Sequence, residues 1–177
     1  MRGTASGGYT FVEMMATVAI AGILLAAALP SLRPLFLRSA VASQVNGLTA
    51  AMRFARSEAV TRGAPVRMCR IATPGATDCG GASSEWRHGW MVLAEDGTLL
   101  RRTDAAGARM RVESLEGLGE LAWAASGDLV TRPGGDGIMR FRIGSDAESE
   151  SGLTRMVCVS MNGRPRVATS EVGCAGG

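Results

Sequence analysis

The feature that most constrains the fold is an apolar run over residues 11–29, in which Glu13 is the only charged residue. As a helix, this run would extend about 28 Å at ~1.5 Å per residue, close to the ~30 Å hydrocarbon core of a bilayer. The short polar segment before the run carries Arg2, and a basic flank favours the cytoplasmic side of a membrane. The pattern therefore predicts one membrane-spanning helix, with the remainder of the chain on the outer side.

Two interpretations of this run are open on the residues alone. It could be an ordinary signal peptide, with the small residues Ala26 and Ala28 at its cleavage site. Glu13 argues against a signal peptide, because a carboxylate at the centre of a membrane costs about 2.5–3.5 kcal/mol. The charged region of a secretion signal is also expected to be basic.

The residues around Glu13 resemble the signature of type IV prepilins. Residues 8–13 read Gly-Tyr-Thr-Phe-Val-Glu, with a glycine before the cleavage point, an aromatic residue after it, and the glutamate fifth in the mature chain. The resemblance implies that prepilin peptidase cleaves after Gly8 and methylates the new amino group of Tyr9. It also implies that Glu13 serves subunit assembly, its buried charge being offset by the amino terminus of a neighbouring subunit.

The same resemblance predicts how the chain is organised. Residues 1–8 would be a leader, residues 9–37 a transmembrane and assembly helix, and residues 38–177 a soluble pilin-like domain. Such a protein would cross the bacterial inner membrane once, hold its soluble domain in the periplasm, and be incorporated into an extracellular pilus. Its expected partners are other pilin subunits, prepilin peptidase and the inner membrane.

Beyond the apolar run, the sequence predicts that the helix continues as an amphipathic segment. Pro30 and Pro34 are expected to kink it. Apolar residues then recur in steps of three and four, the period of one helical face. They are Val41, Val45, Leu48, Met52, Ala55 and Ala59. Gly63, followed by Pro65, predicts that the helix ends near residue 63.

The remaining residues read as short strands separated by turns. The predicted strands are 66–71, 90–94, 98–102, 109–112, 120–123, 138–143, 156–160 and 166–169. Pairs that end in glycine at 96–97, 134–135 and 162–163 are strong turn signals, and the acidic stretch 144–152 predicts a mobile loop. The sequence thus predicts an α+β fold in which a long N-terminal helix packs on an antiparallel β domain, and the resemblance to type IV prepilins implies that this fold is pilin-like.

Four cysteines lie in two local pairs, Cys69 with Cys79 and Cys158 with Cys174. If the domain is exported, both pairs are expected to form disulfides, because oxidising compartments favour them. A metal site fits poorly, since there is no Cys-x-x-Cys motif and His88 is the only histidine. We therefore expect two disulfides, no metal and no cofactor.

Composition and charge restrict the functions open to the chain. All 19 basic residues are arginine, against 16 acidic residues, for a net charge of +3. So mild an excess excludes a polybasic nucleic-acid coat, and any contact with nucleic acid must come from a local patch. An exported enzyme is the poorest interpretation, because there is one histidine and no nucleophile beside a base. We expect no catalytic residues.

The segment best suited to such a patch lies near the C-terminus. Asn162-Gly163 predicts a two-residue hairpin turn. Beyond it, Arg164 and Arg166 would point to the same side about 6.6 Å apart, at ~3.3 Å per residue. Arginine forks match the geometry of phosphate oxygens. On the residues alone, however, two arginines beside a turn are more typical of a solvated surface.

A second resemblance concerns the soluble domain. Residues 52–59, the strand ending at Cys69 and residues 86–92 are similar to the group of minor pilins and pseudopilins that includes FimT and GspH. Residues 163–166, Gly-Arg-Pro-Arg, match the Gly-Arg-x-Arg motif of the FimT-type members, which the chain resembles most. FimT-type proteins are implicated in binding DNA during natural transformation.

The resemblance implies that Arg164 and Arg166 contact the phosphates of double-stranded DNA without reading its sequence, and that Gly163 forms the turn that presents them. Acidic residues nearby would oppose a duplex if they fold close; they are Asp146, Glu148, Glu150 and Glu171. The alternative is a structural minor pilin, or a GspH-like minor pseudopilin of a type II secretion system. For Trp86 and Trp90 we expect a place in the core.

Overall fold

A computed structural model describes residues 10–80, 83–104, 107, 110–131, 137–145 and 153–175, and only the backbone of residues 26–33 and 175. The chain divides into two compact units between Leu37 and Arg38. The elements are α1 (Phe11–Arg62), β1 (Val66–Arg70), β2 (Gly89–Ala94), β3 (Leu99–Asp104), β4 (Met110–Ser114), β5 (Glu120–Trp123), β6 (Ile138–Ser145), β7 (Arg155–Ser160), β8 (Pro165–Ala168) and α2 (Val172–Ala175). This order confirms the predicted α+β class.

The first unit contains the N-terminal part of α1. Thr10 precedes the helix, and its Oγ1 accepts a hydrogen bond from the backbone N–H of Glu13 (3.3 Å). This contact is typical of a helix N-cap, where it satisfies a donor that has no partner within the helix. Large apolar side chains in this unit are exposed, among them Phe11 at 78% and Leu24 at 65%.

The predicted membrane span is not confirmed. Within the ranges given above, no helix is both long enough and apolar enough to cross a bilayer. Gly8 and Tyr9 lie outside the described residues, so the cleavage and methylation sites stay predictions. Helix α1 is continuous through Pro30 and Pro34, and the kink expected there stays a prediction.

The second part of α1 buries one face, as predicted. The six apolar positions from Val41 to Ala59 are at most 4% exposed, and Ala51 is buried with them. At Gly47, an added Cβ would lie 3.8 Å from Cζ2 of Trp90, an ordinary van der Waals contact. The helix ends at Arg62, and Gly63 follows with φ of +61°. In the second unit, the β domain therefore packs against this face of the helix.

Two four-stranded antiparallel sheets form the β domain. Their strand orders are β3-β2-β1-β5 and β4-β6-β7-β8. All eight predicted strands are confirmed, with each boundary within two residues of its predicted position. Gly144 and Ser145 extend β6 and so do not belong to the predicted loop. Residues 146–152 of that loop and the turn predicted at 134–135 lie outside the described residues.

The turn predicted at residues 96–97 joins β2 to β3. Gly97 has φ of +85°, and its Cβ position is open, with no described atom within 4 Å. The carboxylate of Asp96 accepts a hydrogen bond from the backbone N–H of Thr98 (2.9 Å). This hydrogen bond lowers the pKa of the Asp96 carboxyl below its ordinary value.

Each sheet carries a disulfide on the face that points away from α1. Cys69–Cys79 joins β1 to the segment that follows it and packs with Ile71, Met91 and Leu93. Cys158–Cys174 joins β7 to α2 and packs with Met156. Both predicted pairings are confirmed, and each disulfide belongs to a small apolar cluster on the outer face of its sheet.

The tryptophans belong to the core, as expected. Trp86 and Trp90 are at most 1% exposed. The indole N–H of Trp86 donates to the carbonyl of Leu118 (2.9 Å), and its ring meets Phe141 edge-on at a centroid distance of 5.2 Å. Such a pair adds to the stabilisation from burial alone.

Replacing Cys158 and Cys174 together by alanine should lower the free energy of unfolding by about 3 kcal/mol. The bond joins residues 16 apart, so its loss gives the unfolded chain more conformational freedom. Urea denaturation of the double variant beside the parent measures the loss, and reduction of the parent should also destabilise it. An unchanged denaturation midpoint would contradict a stabilising role.

Candidate nucleic-acid interface

The predicted arginine hairpin is formed by β7, β8 and the turn between them. The backbone N–H of Gly163 donates to the carbonyl of Ser160 (2.8 Å), which closes the turn. The side-chain oxygen of Asn162 accepts hydrogen bonds from the hydroxyl of Ser160 (2.8 Å) and from the backbone N–H of Arg164 (3.1 Å). These bonds fix the backbone at the point where Arg164 leaves the turn.

The turn differs from the predicted two-residue type. A type I′ turn at Asn162-Gly163 requires positive φ at both residues. Among the residues described, only glycines have positive φ, and Gly163 has φ of +72°. Asn162 acts through its side chain, and the connection comprises residues 161–164. The prediction of a hairpin at this position is confirmed, but the predicted turn length is wrong.

Gly163 lies where a side chain would not fit. A Cβ at this position would be 2.8 Å from Cδ1 of Trp123 and would collide with the carbonyl oxygen of Gly127. The indole N–H of Trp123 donates to the carbonyl of Gly163 (3.1 Å), and the N–H of Leu129 donates to that of Met161 (2.8 Å). The hairpin tip is therefore attached to the segment that follows β5.

Helix α1 reaches the same segment through Arg56. Its Nε–H donates to the carbonyl of Gly127 (3.0 Å), and the side chain lies half-buried. Gly127 itself belongs to a tight turn, in which its N–H donates to the carbonyl of Ala124 (2.8 Å). Three separate segments therefore converge on one point: α1, the turn after β5, and the β7–β8 turn.

An open groove of about 510 Å³ lies between α1 and the hairpin. We call it the arginine groove; it is lined by Arg53, Arg56, Ser57, Val60, Thr61, Arg164 and Pro165. Arg53 and Arg164 are exposed, and neither makes an ion pair in the part of the chain that is described. No carboxylate from the described residues lines the groove, so its three cations are uncompensated by that part of the chain.

Arg166 lies on a different side of the hairpin. In the β7–β8 register it is paired with Cys158, and directly paired residues share a face of the sheet. That face carries the disulfide and points away from α1, whereas Val167, on the other face, lines a cavity together with Val41 and Val45 of the helix. Arg164 precedes β8, and the strand alternation does not extend to it. The expected same-side placement of Arg164 and Arg166 is thus not observed.

Two arginines of β6, the strand beside the hairpin, are paired with acids. Arg140 forms an ion pair with Glu116 (3.0 Å), and Arg142 with Glu171. Glu171, which could have repelled a duplex, is therefore engaged by a cation. Asp146, Glu148 and Glu150 lie outside the described residues. No group of three or more histidine, cysteine or acidic side chains within the described ranges could hold a metal ion.

Sequence patterns did not indicate that Arg53 and Arg56 belong to this site. Their spacing places them off the apolar stripe, which indicates only that they face away from the centre of the core. A second face of the helix is formed by residues that recur in steps of three and four, namely 53, 56, 57, 60 and 61. This spacing is the sequence pattern that could have indicated that Arg53 and Arg56 lie on one surface. Which element lies beside that face depends on the fold.

Residues 44–163 match the protein family described as type II transport protein GspH. The fold is similar to that of the type IV minor pilin FimU from Pseudomonas aeruginosa PAO1 in two crystal forms, at 22% identity in both. One alignment has a TM-score of 0.54 and covers 75% of this chain and 98% of FimU. The other has a TM-score of 0.56 and covers 82% and 99%. No curated protein matches the sequence significantly.

Replacing Gly163 by alanine should lower the free energy of unfolding by about 3 kcal/mol, because it adds a collision with Trp123 to the cost of a left-handed backbone. Gly97→Ala is the matched control: its φ is also positive, but its Cβ position is open. It should cost only about 1 kcal/mol. Equal losses for the two variants in urea denaturation would show that the packing around Gly163 is unimportant.

Proposed function

The chain belongs to the family of the type II transport protein GspH, and we propose that it is a minor type IV pilin. In this proposal it binds DNA during natural transformation, like the FimT-type minor pilins that it resembles. The observation that carries this proposal is the position of Arg164. It lies at a hydrogen-bonded hairpin tip beside a groove whose described lining has three arginines and no carboxylate.

The chemistry of the site suits double-stranded DNA of any sequence. Guanidinium groups bind phosphate oxygens through paired hydrogen bonds. None of the described side chains that line the arginine groove is aromatic, so they offer no platform on which bases could stack. Contacts to phosphate alone carry no sequence information. A protein that captures incoming DNA needs no such information.

Affinity for DNA is expected to be modest in a single subunit. Few phosphates are neutralised, and binding of this kind weakens steeply as salt rises. Several copies in one filament would act together, because the second contact becomes intramolecular once the first has formed. We infer that Arg164 and Arg166 contribute to the same bound duplex from the two sides of β8.

The N-terminal part of α1 supports a role in filament assembly. Its apolar side chains are exposed in the single chain, Phe36 at 69% for example, and contiguous apolar surface of this kind marks an interaction site. We propose that prepilin peptidase cleaves after Gly8 and methylates Tyr9. The helix would then be held by the inner membrane and by other pilin subunits, with Glu13 paired to a neighbouring amino terminus.

A structural role is the second candidate. The matched segment of the GspH family ends at residue 163 and so stops before Arg164 and Arg166. Family membership therefore applies equally to a minor pilin that primes a pilus and to a minor pseudopilin of a type II secretion system. DNA binding by the purified chain separates these candidates, since neither structural role requires it.

The double variant Arg164→Ala with Arg166→Ala should bind a duplex more weakly than the parent. Loss of two phosphate contacts should lower the slope of log affinity against log salt by about 1.8. Fluorescence anisotropy of the full chain in neutral detergent, with a labelled duplex at several salt concentrations, measures both quantities.

The matched control for this experiment is Arg62→Ala with Arg67→Ala. It removes the same charge from exposed arginines that are paired with Glu58 and Glu120. If the two double variants lose affinity equally, net charge rather than the hairpin determines binding.

Mass spectrometry of the chain from its native host should show a mature form that begins with methylated Tyr9. Glu13→Ala should be processed in the same way but should be missing from sheared filaments, because the neighbouring amino terminus loses its partner. Thr17→Ala, one turn further along the helix, is the control. A mature chain that begins at Leu29 would identify residues 1–28 as a signal peptide and overturn the assembly role.

A further inference from the structure

The structure points to one strand of the DNA backbone lying along the arginine groove, held by Arg53 of α1 as well as by Arg164. This inference rests on the proposed DNA binding and adds to it a residue of the helix as a phosphate contact. It also assigns Arg56 as a positioning residue, because its Nε–H is already engaged by the carbonyl of Gly127 (3.0 Å).

The dimensions of the groove suit a polymer of phosphates. Its helical side is formed by residues from Arg53 to Thr61, eight residues apart, or about 12 Å along the helix axis. One strand of B-form DNA advances about 3.4 Å per nucleotide. Successive phosphates on the strand lie farther apart than this axial rise, because the backbone winds around the duplex axis. The groove is therefore long enough for about two consecutive phosphates, whereas a single small anion would leave much of it empty.

The chemistry of the lining also suits phosphates. Arg53 and Arg164 approach the groove from its two sides, and both are exposed without an ion-pair partner in the described part of the chain. Ser57 and Thr61 add hydroxyl groups, which donate readily to phosphate oxygens. No acid among the described lining residues would compete for the guanidinium groups.

The groove also explains why Arg164 and Arg166 should contribute unequally. Arg166 shares a face with Cys158 on the side of β8 that points away from α1. A strand seated in the groove contacts Arg53 and Arg164 at once, while Arg166 can reach only DNA that extends past the edge of the hairpin. Arg53→Ala should therefore weaken binding more than Arg166→Ala.

The test compares single variants of the full chain in neutral detergent, using the same labelled duplex. Arg53→Ala and Arg164→Ala should each lower affinity about fivefold at low salt and each reduce the salt slope by about 0.9. The control is Arg62→Ala, which lies nine residues after Arg53 and so on the opposite side of the helix at ~100° per residue. It should leave the salt slope unchanged.

The outcomes separate DNA binding by the hairpin from the seating of a DNA strand in the arginine groove. If Arg164→Ala weakens binding while Arg53→Ala behaves like Arg62→Ala, the groove is not the strand site and DNA binding by the hairpin stands. If the parent does not bind the duplex, both ideas fail. Arg53→Lys keeps the charge and should retain the salt slope, and loss of that slope in the lysine variant would contradict a phosphate contact. Thermal unfolding of every variant confirms that it is folded.

Discussion

The burial of one face of α1 is the interaction on which the rest of the second unit depends. Leu48 and Met52 are fully buried, and each such side chain contributes about 1.5–3 kcal/mol when it leaves water. Ala55 and Ala59 are buried on the same face, and small residues allow the β domain to approach the helix closely. With this face held in the core, the remaining faces of the helix, with Arg53, are left at the surface.

The position of the hairpin follows from contacts made at the edge of this core. Trp123 ends β5 in one sheet and donates a hydrogen bond to Gly163 at the end of the other (3.1 Å). Arg56 ties the helix to Gly127 beside them. Disulfides close both sheets on the side away from α1, so the groove is bordered by elements that are each anchored separately. The backbone beside the groove is therefore preorganised, which reduces the entropy lost on binding.

Local charge explains the proposed site better than net charge does. The chain as a whole carries only +3, and several arginines of the second sheet are neutralised by acids, such as Arg140 by Glu116. Arg53 and Arg164 have no such partners among the described residues. The described lining of the arginine groove therefore carries a local excess of positive charge. The shared fold with the minor pilin FimU shows that this architecture occurs in pilus subunits.

The sequence alone determined the order of elements, the buried stripe of α1, the eight strands and both disulfides. Each of these depends on the spacing of residues that are close along the chain, which a sequence pattern carries. The tertiary structure decided the turn geometry at Gly163, the separation of Arg164 from Arg166, and the meeting of the helix with the hairpin. Arg56 and Gly127 are 71 residues apart, and Trp123 and Gly163 are 40 apart. Periodicity shows which residues share a face of one element, but the pairing of faces from different elements is set by packing across the whole domain.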